Sequence, residues 1–378
     1  MTRRRFPKLG LSFIALSAVI LSCSKSGSSS GHGSGGASTN GGSGGDMMGG
    51  SGSSATASGG ETGDGGVQTE DPTPKYYPVP GFEDCIHAEV KADCEHGWCK
   101  LPPSCFVMGA PEDEWRFADG FDNQAAVTLT HSIEVQQMEL TRGEWSTITG
   151  LVPSGPDSCV EAVCPVAMVS WWDAIMAADL LSKARGLSPC YAPPECTGSL
   201  GVDLECTGVL DPEKSVYECE GYRLPTRAEV EYAARAGTWS TWYSGDITRY
   251  DDLECHADAA LEKIAWYCHS SATMVHRGGE LESNAFGLFD LIGNLQERVG
   301  ELKTSSSPGG ENPRGAIGSV NNDDRRLVFG GRYDFSGYLT RTGSLLSSKP
   351  PDRGNAVGFR LYRTLFEDSE RSQAIVDK

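Results

Sequence analysis

Along most of this chain the apolar positions come in short runs broken by Gly, Pro, Asp and Asn, and in three places they recur at helical spacing. The clearest of the three is Gly221 to Thr238, GYRLPTRAEVEYAARAGT. Val230, Ala233 and Ala234 make an apolar stripe there. Thr226 followed by Glu229 forms a capping box, in which the threonine oxygen accepts an orphan backbone N–H and the glutamate reaches back to another. Pro225 stops the preceding segment and Gly237 is placed to end the helix. The same logic starts a short helix at Thr141 with Glu144, running through Trp145 and Ile148 to Gly150. Ser170 with Asp173 starts a longer one through Trp171, Ile175, Ala178 and Leu181, closed by Gly186 with Pro189 beyond. Elsewhere the breakers leave room only for irregular loops and short strands. The pattern therefore predicts an α+β domain, coil-rich, with few short helices and short antiparallel strands.

The chain's two ends depart from that pattern. Arg3, Arg4, Arg5 and Lys8 precede an apolar run from Leu9 to Leu21, which is short for a bilayer span and has the form of an export signal. Ile20-Leu21-Ser22-Cys23 resembles a bacterial lipobox, with Cys23 as the lipidated first residue of the mature chain; ordinary secretion is the alternative. Acyl chains there would anchor the protein to a membrane, each buried methylene contributing about 0.8 kcal/mol. Residues 24–73 follow as a tether dominated at first by Gly and Ser, too polar to bury a core. Its Gly-rich part spans about 35 to 40 Å as a flexible coil. Residues 74–366 carry no linker strong enough to divide them and read as one domain, with 367–378 a polar tail. These features predict an exported, membrane-anchored lipoprotein of the bacterial cell envelope, on its periplasmic or surface face.

Cysteine and charge sharpen the picture. Of 13 cysteines, setting Cys23 aside leaves 12, an even number in an exported chain, which reads as a disulfide framework. Spacing places bridges inside the group Cys85, Cys94, Cys99 and Cys105, between Cys159 and Cys164, inside the group Cys190, Cys196, Cys206 and Cys219, and between Cys255 and Cys268. Pairings within the two groups of four stay open. The net charge of -19 excludes nucleic acid as an expected partner, since the domain has no basic patch to oppose it.

Several segments together resemble the formylglycine-generating, or sulfatase-modifying-factor, family. RLPTRAEVEYAARAG is similar to that family's signature helix, and CKLPPSCFVMGAPEDE (Cys99 to Glu114) to its opening strand and Met-Gly turn. ELTRGEW (Glu139 to Trp145), CPVAMVSWWDA (Cys164 to Ala174) and NAFGLFDLIGNLQE (Asn284 to Glu297) follow in the family's order. VFGGRY (Val328 to Tyr333) and GFRLYRT (Gly358 to Thr364) complete the set, so the resemblance covers roughly 99–364. It implies a C-type-lectin-like fold with little regular secondary structure.

The candidate chemistry lies in three places. Asp290 to Glu297, DLIGNLQE, offers carboxylates from Asp290 and Glu297 and carbonyls from Gly293 and Leu295, a donor set that suits calcium. The resemblance implies a structural calcium on those four residues; a Gly-Asn hairpin with a solvated acid on each side is the alternative. Cys255-His256, Cys268-His269 and His276 have zinc-type donors, but adjacent Cys and His rarely aim at one ion and nearby cysteines oxidise on export, so a disulfide is expected. The third place concerns oxidase activity, which the resemblance ties to copper held by two cysteines after the R-G-G-S-Y segment. The matching stretch, Phe329 to Thr340, has no cysteine, and none occurs after Cys268. Hydroxyls of Ser336, Tyr338 and Thr340 are poor ligands for soft Cu(I), so no copper is expected. The family's W-E-W is altered to Gln296-Glu297-Arg298, and no His-x-x-x-Glu-x-His iron cluster is present. The expected function is thus a non-catalytic binding or scaffold role toward a protein or glycan partner. A formylglycine-type oxidase, or a diverged metal-dependent enzyme of the family, is the alternative.

Overall fold

Each of the three helices begins where its capping box places it. The computed structural model describes residues 85–118, 122–191, 195–209, 215–304, 308–315, 319–320 and 323–366. The leader, Cys23, the whole tether, residues 74–84 and the polar tail lie outside the described residues. Helix α1 (Arg142–Thr149) is capped by Thr141 and Glu144, and ends on Gly150 in the left-handed conformation. Helix α2 (Trp171–Ala184) is capped by Ser170 and Asp173, with Gly186 left-handed just past its end. Helix α3 (Arg227–Arg235) is capped by Thr226 and Glu229. Its left-handed cap is Ala236, with Gly237 also left-handed behind it, so the helix stops one residue earlier than the glycine alone indicates.

Among the described residues fourteen short strands fill the remainder. In the first half these are β1 (Cys94–Glu95), β2 (Trp98–Leu101), β3 (Ser104–Met108), β4 (Ala125–Leu129), β5 (Ser132–Gln136), β6 (Glu195–Thr197) and β7 (Glu205–Val209). The second half adds β8 (Gln296–Leu302), β9 (Gly310–Glu311), β10 (Ser319–Val320), β11 (Arg326–Phe329), β12 (Leu346–Ser348), β13 (Val357–Gly358) and β14 (Tyr362–Leu365). They form four small sheets, ordered β1-β2-β5-β14, β12-β11-β8-β13, β3-β4-β9 and β10-β7-β6. The first sheet joins the two ends of the fold, because β14 pairs with β5, Tyr362 opposite Val135. Most pairings are antiparallel as the breaker pattern predicts. Two, β13 with β8 and β4 with β9, run parallel, since they join strands far apart in sequence that no tight turn connects.

The stripe on α3 leads one to expect an amphipathic helix with a wet face, and the structure differs. All nine residues of α3 are buried, including Arg227, Glu229, Glu231 and Arg235. Charges survive there because most find partners in ion pairs. Arg223 grips Glu229 with both terminal nitrogens, at 2.7 and 2.6 Å, and its Nη2 also donates to Thr364 Oγ1 at 2.9 Å in β14. Arg235 pairs with Glu231, whose Oε1 accepts the Gly109 N–H at 2.6 Å. The helix is thereby bolted to the first sheet on one side and to the turn after β3 on the other. Around it Val230, Tyr232, Trp242, Phe286 and Leu291 belong to one large core; Trp145, Trp172, Ile175 and Phe359 belong to a second beside α2.

Six disulfides close the loops: Cys85–Cys105, Cys94–Cys99, Cys159–Cys164, Cys190–Cys219, Cys196–Cys206 and Cys255–Cys268. In each group of four, one bridge is nested inside the other, so the local strand pairs β1–β2 and β6–β7 carry the inner bridges, Cys94 opposite Cys99 and Cys196 opposite Cys206. Among the described residues, no helix is long and apolar enough to cross a membrane.

Removing one partner of the Arg223–Glu229 pair leaves the other charged and buried, which costs about 3 to 5 kcal/mol. Glu229→Ala is therefore expected to cost that much plus part of the cap, and Thr226→Ala alone about 1 kcal/mol. Urea unfolding of the two variants checks the ordering.

Candidate functional site

The segment Asp290 to Glu297 does not form a hairpin. It is a tight loop that runs into β8, whose neighbours β11 and β13 come from elsewhere in the chain. Asp290, Gly293 and Asn294 all hold positive φ, at 54°, 80° and 51°, and this coils the chain inward. The loop is locked against the start of the Phe329 to Thr340 stretch. Gly293 N–H donates to Gly330 O at 2.8 Å, and a Cβ on Gly330 would sit 2.3 Å from Leu291 O. Only glycine permits that approach.

The acids are not solvated. Asp290 and Glu297 are 2 % and 1 % exposed, and the fold brings a third carboxylate, Glu139, 1 % exposed, to them from the ELTRGEW segment. Asn294 is the hub: its Nδ2 donates to Glu139 Oε2 at 3.3 Å, its Oδ1 accepts the His276 N–H at 3.0 Å, and its carbonyl accepts Tyr333 N–H at 2.9 Å. Leu295 N–H donates to Glu139 Oε1 at 3.2 Å, and Gly279 N–H to Asp290 Oδ2 at 2.7 Å. Arg360, fully buried, donates through Nε to both oxygens of Glu297 at 2.8 and 2.9 Å. Its other nitrogens reach the carbonyls of Gln136 at 3.1 Å and Phe289 at 2.7 Å. One guanidinium thus faces three buried carboxylates.

That imbalance shows in the protonation equilibria. Burial pushes Glu139 well above the usual carboxylate range, and the neighbouring Asp290 and Glu297 push it further. Burial likewise lifts Asp290 to about 6, against the pull of the Gly279 N–H and Arg360. Burial raises Glu297 too, opposed by Arg360, whose own affinity for its proton rises because of Glu297. The donors are hard oxygens carrying an excess of negative charge, a type that suits calcium better than a soft metal, with both Glu297 oxygens already engaged by Arg360. Among the described residues, the three carboxylates do not bring one oxygen each within 4.8 Å of the others; such an approach is made by Cys159, Glu161 and Cys164, where both cysteines are bridged.

The stretch after Gly331 is committed to packing. Arg332 pairs with Asp334 at 2.6 Å, and Tyr333 packs on the cluster containing Cys159, Cys164, Ala167, Val275 and Leu295. Ser336 Oγ donates to Leu253 O at 3.0 Å and Thr340 Oγ1 to Gly337 O at 2.8 Å. Trp242 Nε1 donates to Thr340 O at 3.1 Å. The ring of Tyr338 sits edge-on to Trp115 at 6.0 Å. All twelve cysteines among the described residues are in bridges, so none there supplies a thiolate. The histidines go separate ways: His256 to Asp252 at 2.6 Å, His269 to Glu262 at 2.9 Å, and His276 stacked on Trp266 at 3.7 Å.

In the sequence Glu139 and Arg360 stand out only as members of the ELTRGEW and GFRLYRT segments. The available signal was a charge set directly beside apolar neighbours, Met138 and Leu140 on one side and Phe359 and Leu361 on the other.

A coil-rich fold of four small sheets, with this carboxylate–arginine centre beside a glycine-locked loop, defines a class. The chain belongs to the sulfatase-modifying factor enzyme 1-like domain family, which it matches over residues 91–365. It is 25% identical to the chaperone protein LppX of Paenibacillus barcinonensis over 237 residues, 56% of this chain and 78% of that one. A stretch of 79 residues is 37% identical to the formylglycine-generating enzyme of Mycobacterium tuberculosis, 20% of this chain and 26% of the enzyme, so only about a quarter of that enzyme's length is spanned. Among solved structures, Treponema denticola variable protein 1 is similar in fold, with a TM-score of 0.56 at 22% identity over 71% of this chain and 95% of that one.

Two outcomes follow for the buried centre. Arg360→Met strands Glu297 without its counter-ion and is expected to cost about 3 to 5 kcal/mol in urea unfolding, more than Glu297→Gln with Arg360→Met together. Asp290 has a folded-state pKa of about 6, above its ordinary 3.8, so its protonation stabilises the fold below pH 4 and that contribution is lost as pH rises through 6. In chelator, Asp290→Asn should therefore flatten the fall in melting temperature between about pH 4 and pH 7, read by circular dichroism.

Proposed function

We propose that this protein is a non-catalytic binding member of its family, held at the cell envelope by a lipid on Cys23 and reaching a partner through its Gly/Ser tether. The observation that carries the reading is the combination of twelve bridged cysteines with a cysteine-free Phe329 to Thr340 stretch whose Ser336 and Thr340 hydroxyls already donate to carbonyls. A soft metal finds no thiolate in that stretch, and a substrate cysteine finds no metal-held partner. Similarity to a protein named a chaperone supports a polypeptide as the partner class. The basic leader and the apolar run before Ser22-Cys23 support export and anchoring.

Calcium belongs to this reading as a structural ion. Asp290 and Glu297 would contribute carboxylate oxygens, and Gly293 and Leu295 carbonyls, at a loop already coiled by three left-handed residues. The ion would offset the excess negative charge around Arg360, and so hold the loop that carries Asn294 and, through it, Tyr333.

A binding protein of this kind leaves a cysteine-containing sulfatase peptide unchanged when incubated with copper and oxygen, as followed by mass spectrometry; loss of the thiol with gain of an aldehyde would overturn the reading. For the ion, millimolar calcium is expected to raise the melting temperature by several degrees, since saturation at 100-fold over Kd is worth about 2.7 kcal/mol. Asp290→Asn should remove most of that rise.

A further inference from the structure

A cleft of about 120 Å³ opens beside α1, between the loop Leu151 to Ser154, the segment Ala167 to Val169 and the residues Leu200 to Val202. The described part of the molecule leaves eight large apolar side chains exposed, and three of them, Leu151, Val152 and Val202, line this one cleft. Apolar surface gathered at a concavity marks a contact site more than the same residues scattered singly.

The walls are fixed by charged groups separate from the Arg360 centre. Arg142 donates to the carbonyls of Ser154 at 3.2 Å and Pro153 at 3.0 Å. Buried Arg298 donates twice to Val169 O, at 3.0 and 2.8 Å. Asp173 Oδ1 accepts Gly201 N–H at 2.8 Å, while its Oδ2 pairs with Arg353 at 2.8 Å. Between these supports Met168 holds φ at 58°, a conformation that persists in a non-glycine residue only when its surroundings enforce it. Such walls stand before a ligand arrives, which lowers the ordering cost of binding. The basic groups among these supports are spent on the walls, Arg142 and Arg298 on carbonyls and Arg353 on Asp173, while the charges carried by the wall segments themselves are acidic. Every charged residue in 151–169 and 199–203 is acidic, namely Asp157, Glu161 and Asp203, on a chain of net charge -19. Glu161 is engaged by Arg277 at 2.8 Å, and Asp157 and Asp203 stand exposed.

We propose that this cleft seats one aliphatic side chain of a partner polypeptide, presented in an extended stretch flanked by Lys or Arg. The inference rests on the binding-protein reading and names the chemistry of its partner. Size decides the class: an apolar cavity of about 150 Å³ takes a benzene-sized group, so this one takes a single side chain and not a lipid acyl chain. The side chains exposed at the cleft, Leu151, Val152 and Val202, suit an aliphatic group better than a hydroxyl-rich glycan.

The test uses the full exported chain with ¹³C-methyl methionine and the peptide acetyl-Arg-Gly-Leu-Gly-Arg-amide, followed by NMR. The Met168 methyl resonance should shift saturably. Val152→Ser with Val202→Ser, both at exposed positions that the fold does not need, should weaken binding about tenfold. A peptide with Ser for Leu should lose the shift, and Asp157→Lys should weaken binding at low salt but not at high salt. Equal binding of the Ser peptide, or affinity untouched by the double substitution, overturns the proposal. A partner protein that binds the chain while Met168 stays unperturbed removes the cleft and leaves the binding reading standing, whereas peptide oxidation in the copper assay removes that reading itself.

Discussion

The bidentate contact between Arg360 and Glu297, both nearly solvent-free, is the constraint on which the rest of this structure depends. Arg360 also donates to carbonyls of Gln136 and Phe289, so a single guanidinium ties the loop before β14, the exit of β5, the loop before β8, and β8 itself. Without it Glu297 would be an unpaired charge in the interior. With it, two further acids, Glu139 and Asp290, are drawn into the same volume at a cost in protonation that shows in their raised pKa values. The Arg223–Glu229 pair repeats the device against β14, through Thr364. In a fold with this little regular secondary structure, such pairs fix which segments meet and six disulfides close the loops around the apolar cores.

What could be read in the sequence was whatever is decided locally. Thr141, Ser170 and Thr226 announce their helices because a cap needs only a residue three positions on. The bridges Cys159–Cys164 and Cys255–Cys268 follow from proximity along the chain. Within the groups of four, the choice of Cys190–Cys219 around Cys196–Cys206 depends on how β6 meets β7, which spacing does not encode. The buried state of α3 was illegible for a similar reason. Its polar face looks solvent-ready, and Gly109 and Thr364, which help to bury it, lie more than a hundred residues from the groups they bind. The Asp290 to Glu297 loop shows both limits at once. Its residues were found, but Glu139 and Arg360, which set its charge, came from opposite ends of the domain.

The family's fold is kept here, and its Phe329 to Thr340 stretch, which holds no cysteine, is ordered by its own contacts. Gly330 locks the loop at Gly293, and Tyr333 docks on Asn294. Beyond them, hydroxyls close on backbone carbonyls and Arg332 closes on Asp334, leaving a surface ordered by its own contacts. That order is what a binding protein requires, since walls fixed in advance cost less to fill. The carboxylate centre and the cysteine-free stretch present different donors, buried acids around Arg360 in one and hydroxyls engaged with carbonyls in the other.

Metal content therefore tests the account most directly. The exported chain, purified from an oxidising compartment without chelator and dialysed, would be measured by elemental analysis. The account predicts calcium near one equivalent with no transition metal. Stoichiometric copper or iron surviving dialysis would contradict it and return the protein to the oxidases of its family.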